Sequence, residues 1–428
     1  MSNPVEGPLA GVKVVDLSHV IAGPMASFYL AQMGAEVVKV EPPQGGDIYR
    51  GQLYESQNAD MPSNFVSLNA GKRSLAIDIR TSDGQEVIRQ LARDADVVIQ
   101  NFRPTVMPKY GLDYDSLSAI NPRLIYCSIT AYGHEGEYAG YGAYDHVIQA
   151  ITGMMMLGGD ATTATPSKVG FPVIDVATGL TAALAISGAL LRQRATGQGE
   201  FIDASMVQAS LGLMQPLVTG YLSDAKRPHR VGNRGHSGSP AADVFACADG
   251  WIALAANTPR QFIRLARYLE IESLCHDDRA FDANVFADER SRFLRAKDND
   301  YVRSTLTEAI ARQSADTMER QLNQLDIPAA KVRSVDQFLD DFGHSGSMTL
   351  PIQELRGAAN GRAVTSGLGF APRLNEASWR SEHPAPALGE HSADILLALG
   401  YSADAIDDMR QRQVLTGPSQ CGRDTADA

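Results

Sequence analysis

The chain has 428 residues, 44% of them apolar and 21% charged, enough for about two or three cored units and too apolar for wholesale disorder. Its 38 basic and 50 acidic side chains leave a formal charge of −12, the wrong sign for a general nucleic-acid binder. Cys127, Cys247, Cys275 and Cys421 lie far apart with no CxxC pair, which argues against a zinc site and suits reduced thiols in a cytoplasmic protein. The opening MSNPVEGPLAG has no cationic or apolar leader pattern, so no signal peptide is expected. The most apolar helical stretch, 179–191, reads as too short to cross a bilayer, so no membrane association is expected.

In chain order, a β-branched run at 12–17 is followed by a helical pattern at 24–33, then Gly34 and a second strand at 36–40. The cycle repeats with a strand at 74–79, a helix at 84–93 and an apolar strand at 96–99. A strand at 124–129 precedes a helix at 144–157, and the longest helical pattern, 176–194, ends at Thr196-Gly197-Gln198-Gly199. Strands alternating with helices of this length predict an α/β fold, a doubly wound and mostly parallel sheet buried on both faces. The text becomes loop-like at 222–240, and from there to about 330 it reads as a smaller α+β domain. That domain includes a hairpin at 245–255 turning at Asp249-Gly250. A late helix is expected at 393–399 and a polar, mobile tail from Thr416.

The first strand–turn–helix unit invites a dinucleotide reading, with Glu41 ending the second strand where a ribose-binding acid would stand. The turn, however, reads His19-Val20-Ile21-Ala22-Gly23-Pro24 and lacks the glycines that let a pyrophosphate approach the backbone. Basic residues recur instead where strands meet loops: Lys72, Arg73, Arg80, Arg103 and Lys109. Asn101-Phe102-Arg103-Pro104 follows a parallel strand, the side of an open sheet where ligands sit, and an aromatic ring beside cations suits a phosphorylated nucleotide. Each of these charges taken singly also reads as an ordinary solvated one.

Asp175 stands just before the long apolar helix, in Gly170-Phe-Pro-Val-Ile-Asp175-Val-Ala-Thr-Gly179. One reading is an N-cap, for which Asp is among the best residues. The other is a carboxylate held at a helix N-terminus for nucleophilic attack on an acyl carbon. The local text leaves both open.

Several ordered segments together resemble the family III CoA-transferases, which include formyl-CoA transferase, carnitine CoA-transferase and related acyl-CoA racemases. They are GVKVVDLSHVIAGPMASFYLAQMGAEVVKVEPPQGGD, NAGKRSLAIDIR, QNFRPTVMPKYGL, the Tyr144-Asp145-His146 segment, Asp175-Val-Ala-Thr-Gly, RQRATGQGEFIDAS and APALGEHSADILLALGYS. The resemblance implies that Asp175 is the nucleophile and that Val20 and Ile21 form the first-turn contact with coenzyme A. It places Ile77, Asp78, Ile79 and Arg80, then Asn101, Phe102 and Arg103, around the nucleotide, with Lys109 replacing an arginine. Tyr144 and Asp145 match a tyrosine and an acid beside the nucleophile, and Gly235, His236, Ser237 and Gly238 match a substrate-side loop. Ile21 replaces a glutamine and HSGSP replaces a glycine run, departures that tell against formyl-CoA and oxalate as the substrate pair.

The implied reaction moves CoA from an acyl-CoA to a free carboxylic acid through anhydrides and an aspartyl-CoA thioester. It uses no bound cofactor or metal, because coenzyme A and acyl-CoA are substrates. The resemblance also implies a Rossmann-like large domain from 1–225 and 331–428, a small domain at 226–330, and an interlocked homodimer. A dicarboxylate such as succinate is one substrate class this reading admits, with Arg50 or Arg234 as its partner. Two alternatives stand beside this reading, a racemase of the same superfamily and a CoA-binding protein without turnover. The racemases place a histidine where this chain has Tyr144, and His146, two residues on, is turned by about 200° on a helix.

Overall fold

Strand residues that alternate between two hydrophobic cores build the central sheet. The structure is a computed structural model that describes residues 7–51, 61–282, 284–287, 293–343, 345–356, 364–370 and 383–417. Most of the tail expected from Thr416, and Cys421 with it, lies outside the described residues.

The parallel strands are β1 (Lys13–Asp16), β2 (Glu36–Glu41), β3 (Lys72–Ile77), β4 (Val97–Gln100), β5 (Ile125–Thr130) and β6 (Glu200–Ser205). Their spatial order is β3-β2-β1-β4-β5-β6, with the short strand Leu415–Thr416 antiparallel against β3. Val14, Val97 and Ile99 face one core with Ala26, Leu30 and Ile186, while their neighbours Val15 and Val98 face the other with Val87, Ile88 and Leu396. Period-two alternation with both faces apolar is what a sheet covered on both sides requires.

The connecting helices include α1 (Ala22–Gln32), α2 (Ser63–Asn69), α3 (Ser82–Asp94), α4 (Val106–Lys109), α5 (Tyr114–Ser118), α6 (Asp145–Ile151), α7 (Val173–Thr196) and α8 (Met206–Leu213). At 24 residues α7 is long and apolar enough to span a bilayer by length and composition, contrary to the expected shorter stretch. Half of its apolar window is buried in the protein. Its close packing on α1 depends on Gly179: a Cβ there would lie 2.7 Å from the Ala22 carbonyl oxygen. The expected helix at 144–157 is shorter, breaking after Ile151 and resuming as one 3₁₀ turn at Met154–Met156.

The chain divides into two units, Met1–Met154 with Lys168–Arg227 and Leu350–Ala428, and Met155–Ser167 with Pro228–Thr349. The second unit is therefore larger than 226–330, taking in 331–349 and the distant piece 155–167. Arg230 ties that piece in, its guanidinium donating to the Thr163 carbonyl at 2.7 Å. The expected hairpin is present as Ala242–Cys247 and Gly250–Ala255, extended by Ala329–Lys331 into a three-stranded antiparallel sheet. Phe245, Ile252, Phe262, Leu306 and Met318 belong to its core.

Candidate active site

Strand order reverses between β1 and β4, and a sheet opens a crevice beyond the carboxyl ends of its strands at such a point. A cavity of about 410 Å³ lies there, lined by Leu17 and His19 after β1, Val40 to Pro42 at the end of β2, Ile77 to Arg80 at and beyond the end of β3, and Phe102 after β4. Ile77, Asp78, Ile79, Arg80 and Phe102 are thus gathered around one cleft. Asn101 braces its wall, accepting from the His19 N–H at 2.9 Å and donating to the His19 carbonyl at 2.8 Å. The Phe102 N–H donates to Gln100 at 2.7 Å, which fixes the start of the same loop.

The basic residues divide. Arg80 is not a free phosphate ligand, because Asp78 holds its guanidinium through two 2.8 Å bonds. Arg103 and Lys109 are exposed, lie outside the cavity lining and have no ion-pair partner among the described residues. Arg103 lies across Gly142, where a Cβ would come within 2.9 Å of its guanidinium. Lys72 overturns its sequence reading: it is fully buried, its ammonium 3.2 Å from Asp16 and bonded to Asn69 and the Pro24 carbonyl. Arg50 is likewise unavailable to a dicarboxylate, since both oxygens of buried Glu41 hold it at 2.7 and 2.8 Å. Arg234 is exposed in the second unit, 3.4 Å from Asp300.

His19 was not singled out by sequence. Its ring meets Phe102 edge to face, with centroids 5.0 Å apart. Burial, aided by the Lys39 charge, keeps its pKa below the ordinary histidine value, which favours the neutral ring. Val20 follows with φ of 71°, a strained conformation for a β-branched residue that costs about 1–3 kcal/mol. Its N–H is held by both oxygens of Asp47, at 3.2 and 3.3 Å, and Asp47 is ion-paired to fully buried Lys39 at 2.8 Å. Ile21 follows as the N-cap of α1, making no side-chain cap.

At the start of α7, the N-cap reading of Asp175 gives way. Asp175 is the third residue of α7, and α7 has no side-chain cap from its own N-cap residue, Pro172. The capping acceptor is Asp145, at the start of α6, whose Oδ2 takes the Ile174 N–H at 2.6 Å and the Asp175 N–H at 3.3 Å. Asp145 Oδ1 accepts from Gln149 at 2.5 Å, so both of its oxygens are occupied. Asp175 is half-buried, and its carboxyl has no hydrogen-bond donor among the described residues. Burial and then the Asp145 charge push its pKa up to about 7. A partly desolvated carboxylate with a like charge beside it is more basic than a solvated one.

Tyr144 is the exposed N-cap of α6, and His146, one residue beyond Asp145, is also exposed. Gly235, His236, Ser237 and Gly238 form a turn within the second unit, closed by the Gly238 N–H on the Gly235 carbonyl at 3.2 Å, with Gly238 at φ 71°.

Residues 9–392 match CoA-transferase family III. The chain is 33% identical to the succinate–glutarate CoA-transferase of Agrobacterium fabrum over 92% of this chain and 96% of that protein. It is 30% identical to the beta subunit of a succinyl-CoA–L-malate CoA-transferase of Chloroflexus aurantiacus, over 95% and 98% of the two chains. Among solved structures it is similar to a CAIB/BAIF family protein from Brucella suis, 34% identical with a TM-score of 0.78, covering 92% of this chain and all of that one.

Proposed function

Since the chain belongs to CoA-transferase family III and transfers CoA between acyl-CoA thioesters and carboxylates, we propose that Asp175 is the nucleophile and carries CoA as an aspartyl thioester. One Asp175 oxygen attacks the thioester carbonyl carbon of the donor and expels CoA thiolate, leaving a mixed anhydride. The thiolate then attacks the Asp175 carbonyl carbon of that anhydride and releases the donor's carboxylate, so CoA is now bonded to Asp175. An acceptor carboxylate attacks this thioester and expels the thiolate again, forming a second anhydride. Thiolate attack on the acceptor carbonyl carbon yields the new acyl-CoA and restores the Asp175 carboxylate. Both anhydrides are hydrolysable, so water must be kept from them.

The observation that carries this reading is the Asp175 carboxyl itself, without a hydrogen-bond donor among the described residues at a helix terminus that Asp145 already caps. In the same reading the cleft bounded by Ile77 to Arg80 and Phe102 holds the nucleotide of CoA. Arg103 and Lys109 meet its phosphates, and the Val20–Ile21 turn contacts the rest of the carrier. The packing of Gly179 against Ala22 supports this, because it brings the start of α7 to the first turn. Relatives named for succinate, glutarate and L-malate support a dicarboxylate among the substrates. The interlocked homodimer belongs to the proposal too. Leu180, Leu184 and Leu191 leave an apolar stripe exposed on α7, the kind of surface a second chain covers.

The test is to incubate the protein with succinyl-CoA, glutaryl-CoA or acetyl-CoA and no acceptor, then map the mass gain. An aspartyl-CoA adduct on Asp175, removed by hydroxylamine and missing from Asp175→Asn, is expected. Full CoA transfer by Asp175→Asn would refute the assignment.

A further inference from the structure

Gln149 is a glutamine with no exposed surface, and both ends of its amide are used. Its Oε1 accepts from the Val169 N–H at 2.9 Å, and its Nε2 donates to Asp145 Oδ1 at 2.5 Å. Asp145 passes the connection on, its Oδ2 receiving the N–H groups of Ile174 and Asp175. A chain of hydrogen bonds therefore runs from the strand-free segment at 169, through Gln149 and Asp145, to the backbone of the nucleophile. Both oxygens of Asp145 are engaged by the protein, and the residue is buried.

We propose that Asp145 and Gln149 are a positioning pair: Gln149 orients the Asp145 carboxylate, which fixes the first turn of α7 and sets a negative charge beside Asp175. The inference rests on Asp175 being the nucleophile and reassigns Asp145 from substrate contact to support. The charge matters because little else acts on Asp175. Of the elements packed on α7, α1 contributes only Tyr29 and α8 no ionisable group. β5 contributes Tyr126 and Cys127, β6 Glu200 and Asp203, and α6 Asp145 and His146. Among all of these, Asp145 is the group whose charge raises the Asp175 pKa, after burial itself. A like charge beside a carboxylate makes its anion more basic.

The two residues can exchange roles. In Asp145→Asn alone, the new amide group faces the Gln149 amide, donor against donor. In Gln149→Glu alone, two carboxylates meet. In the double variant, the carboxylate introduced on α6 accepts from both the Val169 N–H and the amide introduced at its start. The oxygen of that amide still receives the α7 N–H groups. Every bond is kept and the charge moves one side chain further from Asp175.

Steady-state transfer from succinyl-CoA to glutarate should fall at least tenfold in each single variant and recover in the pair. The acid limb of kcat/KM, which reports the free enzyme, should lie about one unit lower in the pair than in the native protein. Recovery with an unmoved acid limb would overturn the charge role, and no recovery in a pair that melts like the native protein would overturn the positioning role. Gln149→Leu serves should the pair not fold: kcat is expected to drop at least tenfold with the KM for succinyl-CoA within twofold, and an unchanged kcat would refute the proposal. Mass mapping of the native protein runs alongside, so a missing Asp175 adduct identifies failure of the nucleophile assignment rather than of its support.

Discussion

Two regions of the large unit remove carboxylates from water and treat them in opposite ways. Behind the first turn, Asp16 is fully buried, yet Lys72, Lys39 and the hydroxyls of Ser18 and Ser27 surround it. Burial alone would raise its pKa, and these partners outweigh burial and hold it below the usual carboxylate range. At the start of α7, Asp175 is only half-buried but receives no donor among the described residues, and the charge that acts on it, Asp145, is of the same sign. The first arrangement is what a framework needs: charges matched so that the strand ends and the strained Val20 turn are held. The second leaves its carboxylate unmatched, which is how reactive groups are set apart from structural ones. Burial by itself does not distinguish them; the partners do.

The contrast breaks most visibly at Asp175. Replacing it by Asn should lower CoA transfer by about 10³-fold or more, because an amide cannot form the anhydride. Yet the same change should not weaken the fold. The folded protein keeps the Asp175 proton to about pH 7, whereas the unfolded chain releases it near the ordinary carboxylate value. Folding therefore binds a proton between these limits, and native stability falls as pH rises through them. Asp175→Asn has no such dependence, so its melting temperature should exceed that of the native protein at pH 8 and converge with it near pH 4. A variant that melts lower at pH 8 would mean that Asp175 is matched by partners after all.

Asp16→Asn should do the reverse. It leaves Lys72 and Lys39 buried beside a neutral group, a loss of about 3–5 kcal/mol for a broken buried pair, measurable by urea denaturation at pH 7. A change below 1 kcal/mol would show that the network is not a matched framework. The smallest effect is expected at the rim. Arg103→Ala removes a charged donor worth about 1.5–3 kcal/mol, so calorimetry should record CoA binding weakened at least tenfold with an unchanged melting temperature. Unaltered affinity would remove Arg103 from the phosphate site.

The same contrast explains what could be read before the structure. The alternating β-branched runs announced the parallel sheet, although β3 begins at Lys72 rather than at 74 and β6 was not distinguished. In β6 the text Glu200-Phe201-Ile202-Asp203 interrupts the apolar run, so only pairing with β5 reveals the strand. Phe102 and Arg80 could be marked from the strand ends they follow, whereas Ile77, Asp78 and Ile79 were marked only through the family resemblance. Lys39 and Lys72 were not, since a lysine in a strand reads as a surface charge until its buried acids are known, and for Lys72 that acid stands 56 positions away. The capping role of Asp145 was hidden similarly, its target N–H lying 29 residues further on. Local text could therefore place Asp175 at a helix start without deciding whether it capped that helix.

The most direct test of the unmatched carboxylate is the rate at which Asp175 acquires CoA, followed over pH. In single-turnover experiments with succinyl-CoA and no acceptor, quenched and read by mass, adduct formation should be half-maximal near pH 7, where burial and Asp145 place the Asp175 pKa. Below that point it should fall about tenfold per pH unit, as the protonated carboxyl cannot attack. A rate constant flat from pH 5 to pH 8 would mean that Asp175 ionises like a solvated carboxylate and would contradict the account.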